Sequence, residues 1–320
     1  MIRRIAGLLF FAFASAMACA QSGYPARPIR LVVPFPPAGA TDLVSRLIAD
    51  RVSANNPSWT IVVENKPGAG GNIGLEAVAK SKPDGYTIGM GQTANLAINP
   101  ALYATMPYDA LKDFVPIALI AEQPLVLIVN AGSPYKTLAD LVAAATTKPL
   151  TMASAGNGTV GHLAGELFAR RAGITITHVP YKGAAAALTD VMGGRIDFML
   201  PTPQAALPLI KGAKLRALAV TSLRRVDAIA EAPTIAESGY ADFVAIDWKA
   251  LVAPAGTPAD IVDRLHLEVE RVLQQPATIE RMAAEGSSPM RGSATDIARF
   301  IRAEHARWGT VVREANVKLD

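Results

Sequence analysis

Ile29-Arg30-Leu31-Val32-Val33 runs straight into Pro34-Phe35-Pro36-Pro37-Ala38-Gly39-Ala40-Thr41-Asp42. The first five residues are rich in β-branched and apolar side chains, which suits a buried strand. Pro34 ends it, because proline has no N–H to give the ladder. Asp42 then opens a stretch with Leu43, Val44, Leu47, Ile48 and Val52 on one face, the spacing of an amphipathic helix. The unit repeats: Thr60 to Val63 reads as a strand, Gly74 to Ala79 as a helix and Tyr86 to Met90 as a strand. Short strands alternating with helices predict an α/β fold with βα units and parallel pairing.

Farther along the pattern changes. Phe114 to Asn130 is nearly continuous apolar chain with Pro124 inside it, which predicts one long extended segment passing from one sheet into another. The βα rhythm then restarts. Helices are predicted over Leu138–Ala145, His162–Arg171 and Ala184–Met192, the last stopped by Gly193-Gly194. Strands are predicted over Leu150–Ala153, Ile174–Val179, Ile196–Leu200 and Leu215–Val220. Phe243 to Val252 is a second long extended run, and three helices follow: Ala259–Leu273, Ile279–Glu285 and Ala294–Arg313. Two βα sets and two long connectors predict two lobes crossed twice by the chain. One holds residues 21–123 and 247–320, the other 124–246, each on a mostly parallel sheet. The carboxyl ends of parallel strands face the crevice between lobes, where small ligands bind.

The chain starts as an exported one does. Met1-Ile2-Arg3-Arg4 is basic, Ile5 to Ala18 is almost wholly apolar, and Ala18-Cys19-Ala20 has small residues at a cleavage point. This is the pattern of a secretory signal peptide over residues 1–20, too short to span a bilayer. Cys19 is the single cysteine. Cleavage after Ala20 removes it; a second reading takes Ala16-Met17-Ala18-Cys19 as a lipid-attachment site. With cleavage after Ala20, no disulfide, zinc cluster or thiol nucleophile is available. Loss of Arg3 and Arg4 halves the formal net charge of +4. No basic run is interleaved with aromatics, which argues against nucleic-acid binding.

Three loops lie between a strand and a helix: Pro34 to Asp42, Asn65-Lys66-Pro67-Gly68-Ala69-Gly70-Gly71-Asn72, and Ser154-Ala155-Gly156-Asn157-Gly158-Thr159-Val160-Gly161-His162. Each presents backbone N–H groups at a helix N-terminus, which suits an anion. Glycine also serves any turn, and it is three such loops facing one crevice that point to an anion. Gly156, Gly158 and Gly161 match G-x-G-x-x-G, but the next strand ends Thr177 to Lys182 without the carboxylate a dinucleotide site needs. There is no G-x-S-x-G, H-E-x-x-H or phosphate-loop motif. His162, His178, His266 and His305 are scattered, and His162 with Glu166 reads as an ordinary i,i+4 pair. Thr41 and Asp42 read as helix-start residues. No catalytic residue, metal ligand or cofactor site is expected.

Taken as an ordered set, the three loops resemble the substrate-binding receptors of tripartite tricarboxylate transporters, the Bug-type receptors. So do Pro83-Asp84-Gly85-Tyr86-Thr87, His162-Leu163-Ala164-Gly165-Glu166, Val179-Pro180-Tyr181-Lys182-Gly183 and Gly193-Gly194-Arg195-Ile196-Asp197. The resemblance implies a two-lobed, type II periplasmic-binding fold with no enzymatic activity. It implies a periplasmic monomer that holds a small carboxylate and meets membrane transporter subunits. Carried over, it places Phe35, Ala38, Gly39, Thr41 and Asp42 at the ligand on one lobe, and Ser154, Ala155, Asn157, Gly158 and Thr159 on the other. Gln92, Thr93, Pro201, Thr202 and Asp247 fall at its distal end. Ala38 departs from the family, which has two adjacent glycines there. Either the position does not need positive φ, or the carboxylate sits differently. Lys66 and Lys182 are read as solvated. Two alternatives stay open: an exported hydrolase using Asp42 or His162, and a sensor subunit serving a membrane kinase.

Overall fold

The computed structural model describes residues 23–315 and Val317. The predicted leader and Cys19 lie outside the described residues. No described helix is long and apolar enough to cross a membrane.

The chain begins with β1 (Ile29–Val33), α1 (Ala40–Asn55), β2 (Ile61–Asn65), α2 (Asn72–Ala79) and β3 (Thr87–Gln92). A π-turn (Ala94–Ile98) runs into a single helical turn, α3 (Asn99–Leu102). Then come β4 (Phe114–Pro124), β5 (Val126–Asn130), α4 (Leu138–Ala145), β6 (Leu150–Ser154), α5 (Val160–Ala172) and β7 (Ile176–Pro180). The chain continues through α6 (Ala184–Met192), β8 (Phe198–Met199), α7 (Pro203–Lys211), β9 (Leu215–Val220) and β10 (Ile246–Pro254). It closes with α8 (Ala259–Leu273), α9 (Pro276–Ala284), β11 (Ser288–Pro289) and α10 (Ala294–Ala315).

Two sheets result, ordered β11-β4-β10-β3-β1-β2 and β7-β6-β8-β5-β9. The βα units pair in parallel: β1 with β2 and β3, and β6 with β7 and β8. The connector strands run the other way. β10 is antiparallel to β3 and β4, and β5 is antiparallel to β8 and β9. Both sheets are therefore mixed rather than mostly parallel. A chain that leaves a lobe and returns meets its own outgoing strand head to tail.

The predicted extended segment changes sheet at Leu125, between β4 and β5. The return is between β9 and β10. Thr221 joins the two crossings. Its Oγ1 accepts from Leu125 N–H at 2.7 Å and donates to Ala245 C=O at 2.6 Å. Its own N–H donates to Leu125 C=O, and its C=O accepts from Ala245 N–H. Behind the crossings lies α10, whose Glu304 accepts from the indole N–H groups of Trp248 and Trp308.

Apolar burial explains the layering. Ile48 and Val52 of α1 and Leu265 and Val269 of α8 cover one face of the first sheet, against Ile29, Leu31, Ile88 and Met90. A second cluster runs through both lobes, from Leu75 and Val78 to Phe168, Phe243 and Trp308. Four elements escaped the sequence reading: the π-turn, α3, α7 and β11. Pro203 and Pro208 disguise α7, yet Pro203 sits in its first turn, where a missing N–H costs nothing.

Replacing Thr221 by valine keeps the shape but leaves Leu125 N–H and Ala245 C=O buried and unpaired. The expected loss is about 1–3 kcal/mol, read by denaturant unfolding, with Thr221→Ser losing much less.

Candidate functional site

The first loop is organised by Asp42, a buried carboxylate in the first turn of α1. Its Oδ2 accepts from Ala38 N–H and Arg46 Nε, both at 2.9 Å, and its Oδ1 accepts from Asn65 Nδ2 at 2.9 Å. Arg46 Nη2 also approaches Oδ1 at 2.9 Å. Burial raises the carboxyl pKa, but hydrogen bonds from Arg46, Ala38 and Asn65 outweigh it and hold the group below the ordinary aspartate value. Asp42 is thus an ionised, occupied anchor for the loop. It takes the Ala38 N–H, so that amide is not free for a ligand. Gly39 caps α1 without a side chain, which leaves the following first-turn N–H groups open. Ala38 has φ 63°, so the position does need the left-handed region and alanine occupies it under strain.

Asn65 also donates to Phe35 C=O, tying the first loop to the second. The Phe35 ring lies against Gly71, and an added Cβ there would sit 3.1 Å from it. In the second loop, Asn99 Nδ2 donates to Gly70 C=O and Asn72 Oδ1, and the Tyr108 hydroxyl lies 2.8 Å from Asn95 C=O and 3.0 Å from Asn72 Oδ1. The third loop, on the other lobe, comes up against this network. A Cβ on Gly70 would lie 3.5 Å from Asn157 C=O, and one on Gly158 would lie 2.5 Å from Asn99 Oδ1. Gly158 has φ 76°, so both space and backbone exclude a side chain there. The three loops converge, first on second and second on third.

Within the third loop, Thr159 caps α5 by accepting from His162 N–H, and donates to Gly156 C=O at 2.8 Å. Gly158 N–H donates to His162 Nδ1. The buried Ser154 hydroxyl lies 2.7 Å from His178 Nε2 and 3.0 Å from Gly156 C=O. His162 and His178 stack with ring centroids 3.7 Å apart and planes 10° apart. Burial, helped by His178, pulls the His162 pKa down to about 3; burial alone pulls His178 to about 4. Both rings are neutral supports beneath the loop.

Beyond the first loop a buried polar row follows the first sheet. Thr41 donates to Gln92. Gln92 is the cross-strand partner of Lys249, and Gln123 is that of Asp247. Lys249 Nζ meets Asp247 Oδ2 at 3.0 Å, Gln123 Nε2 donates to the same oxygen at 3.2 Å, and Gln204 Nε2 of α7 donates to Gln123 Oε1 at 2.7 Å. The Thr93 hydroxyl is turned into β10, where it accepts from Trp248 N–H. Pro201 holds β5 through its C=O, and Thr202 precedes α7. The sequence reading missed His178, Asn95, Asn99, Gln123, Gln204 and Lys249. Lys249 was findable: a lysine inside an apolar strand, two residues from an aspartate, signals a buried pair. Among the described residues no cluster of three or more His, Cys, Asp or Glu side chains is placed to hold a metal.

Residues 44–317 match the family model described as tripartite tricarboxylate transporter family receptor. The chain belongs to this receptor family. Protein BugT of Bordetella pertussis is 40% identical over 299 residues, covering 92% of this chain and 91% of its own. Among solved structures, R. palustris Rpa4515 with adipate is 37% identical at a TM-score of 0.89, over 92% of this chain and 99% of its own. MatC from Rhodopseudomonas palustris with bound malate is 32% identical at a TM-score of 0.83, over 90% and 99%. Receptors of this family are periplasmic solute-binding proteins that serve transporters.

Two outcomes follow from the geometry. Ala38→Gly relieves about 1–2 kcal/mol of left-handed strain against about 0.5–1 kcal/mol of added chain entropy, so denaturant titration should show a small gain in stability. The stacked imidazoles stay neutral when folded but protonate below their ordinary value of 6.5 when unfolded. The unfolded state therefore binds more protons. Stability is full above pH 6.5 and falls as pH drops toward about 4, by up to about 1.4 kcal/mol per pH unit for each ring. His178→Gln should flatten that slope in thermal unfolding across the same window.

Proposed function

We propose that the chain is an exported receptor that captures a small carboxylate between its lobes and delivers it to membrane subunits of a tripartite transporter. Residues 21–123 and 247–320 form one lobe and 124–246 the other, a division supported by the changes of sheet beside Leu125 and before β10. The observation that carries the reading is the convergence of three amide-rich loops from both lobes on one crevice. Relatives solved with adipate and with malate support a carboxylate as the occupant.

Backbone amides of the first turn of α1 and of the third loop hold the carboxylate, beside Phe35, Gly39 and Thr41 on one side and Ser154, Ala155, Asn157 and Thr159 on the other. Asp42, Ala38 and Gly158 set loop shape. Gln92, Thr93, Pro201, Thr202 and Asp247 line the distal end. The protein is monomeric, reaches the periplasm through residues 1–20, and uses no cofactor.

It is not an enzyme on this reading. Ser154 and His178 are a serine and an imidazole at 2.7 Å, which invites comparison with a hydrolytic pair. Ser154 is 1% exposed, however, and no described carboxylate hydrogen-bonds His178 to orient it. A nucleophile needs both access and an oriented base.

Thermal unfolding of ligand-stripped, refolded protein against short-chain carboxylates tests the reading. A ligand at 100 times its dissociation constant adds about 2.7 kcal/mol, several degrees in midpoint. The expected result is one carboxylate that stabilises and is recovered unchanged. No stabilisation by any carboxylate, or recovery of an altered compound, contradicts it. Thr159→Ala should weaken the effect while the protein stays folded.

A further inference from the structure

Lys249 is the least expected residue of the buried polar row. It is fully buried, and its ammonium, with three donors, has Asp247 as its single hydrogen-bond partner among the described residues. Asp247 is 5% exposed and its Oδ1 is buried with no partner. Gln204 Oε1 is likewise buried and unpartnered. Asp247 and Lys249 are two residues apart on one strand and so share a face, with Gln123 and Gln92 opposite them. Thr41 links this row to the first loop, and Gln204 brings in the other lobe. The row therefore runs from the first loop to α7.

Unused donors and orphaned acceptors in a buried place are costly unless a ligand group or an ordered water completes them. The charges already cancel within the Lys249–Asp247 pair. A second carboxylate would bring net negative charge against Asp247 Oδ1 and has no proton for either orphaned oxygen. A plain alkyl end would leave all of them unpaired. A neutral group that both gives and takes hydrogen bonds answers the set: it accepts from Lys249 Nζ and donates to Asp247 Oδ1 or Gln204 Oε1.

We propose that Lys249, Asp247 and Gln204 form a distal subsite that selects a carboxylate whose far end carries a hydroxyl or a carboxamide, over diacids and simple alkanoates. This rests on the receptor reading above.

The test is calorimetric titration of the full, ligand-stripped protein with matched acids on four-, five- and six-carbon chains. Each length is offered with a second carboxylate, a carboxamide, a hydroxyl or a methyl at the far end. At the best length, the carboxamide or hydroxyl acid should bind at least about tenfold tighter than the diacid and the methyl-ended acid. A diacid or methyl-ended acid binding equally well or better overturns the subsite while the receptor reading stands. Binding by no acid at any length overturns both. Asp247→Asn should turn the preference toward the diacid, because Lys249 is then an uncompensated cation. Since that variant also breaks a buried ion pair and risks unfolding, Gln204→Met is made beside it. Folded Gln204→Met protein should show the carboxamide or hydroxyl preference reduced several-fold, and an unchanged preference overturns the assignment.

Discussion

The hydroxyl of Thr221 is the point on which the two-lobed arrangement turns. Both strands that leave the first sheet are tied to it, one through Leu125 and one through Ala245. A receptor that opens and closes needs its lobes joined without being fused. Two crossings pinned at one buried residue meet that need, and the β4–β10 pair lies on the first-sheet side of both. Glu304 and its two indole donors hold α10 behind the same region.

Charge is handled with economy inside the crevice. In the proposed site the carboxylate is held by backbone N–H groups and helix starts, which favour an anion without a buried cation. Asp42 would repel such a ligand if it were free, but Arg46, Asn65 and Ala38 N–H occupy its oxygens. The loop gains its shape from that carboxylate, whose oxygens are already occupied. Recognition by amides is indifferent to the rest of the ligand. On the proposal above, selectivity falls to side chains farther along the row, where Lys249 pairs with Asp247.

The fold was largely legible because its βα units obey local rules. Helices over Leu138–Ala145, Ala184–Met192 and Ala259–Leu273 have the predicted bounds, the second stopping where Gly193-Gly194 begins. The change of sheet near Pro124 was legible too, because an extended apolar run longer than an ordinary strand has to cross something. What stayed hidden depends on partners distant in sequence. β11 is two residues that pair with β4, and the π-turn at Ala94–Ile98 packs among buried residues with no local signature. The loops of the site could be read from glycine spacing, but which amides are free could not. Ala38 N–H is spent on Asp42 and Gly158 N–H on His162, and only tertiary contacts decide that. The stacked His162 and His178 come from a helix and a neighbouring strand, and no spacing rule brings them together.

The central claim is that one carboxylate is held jointly by loops of both lobes. Amide-resolved NMR titration of the full protein measures this most directly, using the carboxylate that most raises the unfolding midpoint. The account predicts that Gly39, Ala40 and Thr41 on one lobe and Ala155 and Asn157 on the other shift together, with one shared dissociation constant. Shifts confined to one loop, or two loops titrating with different constants, would contradict it.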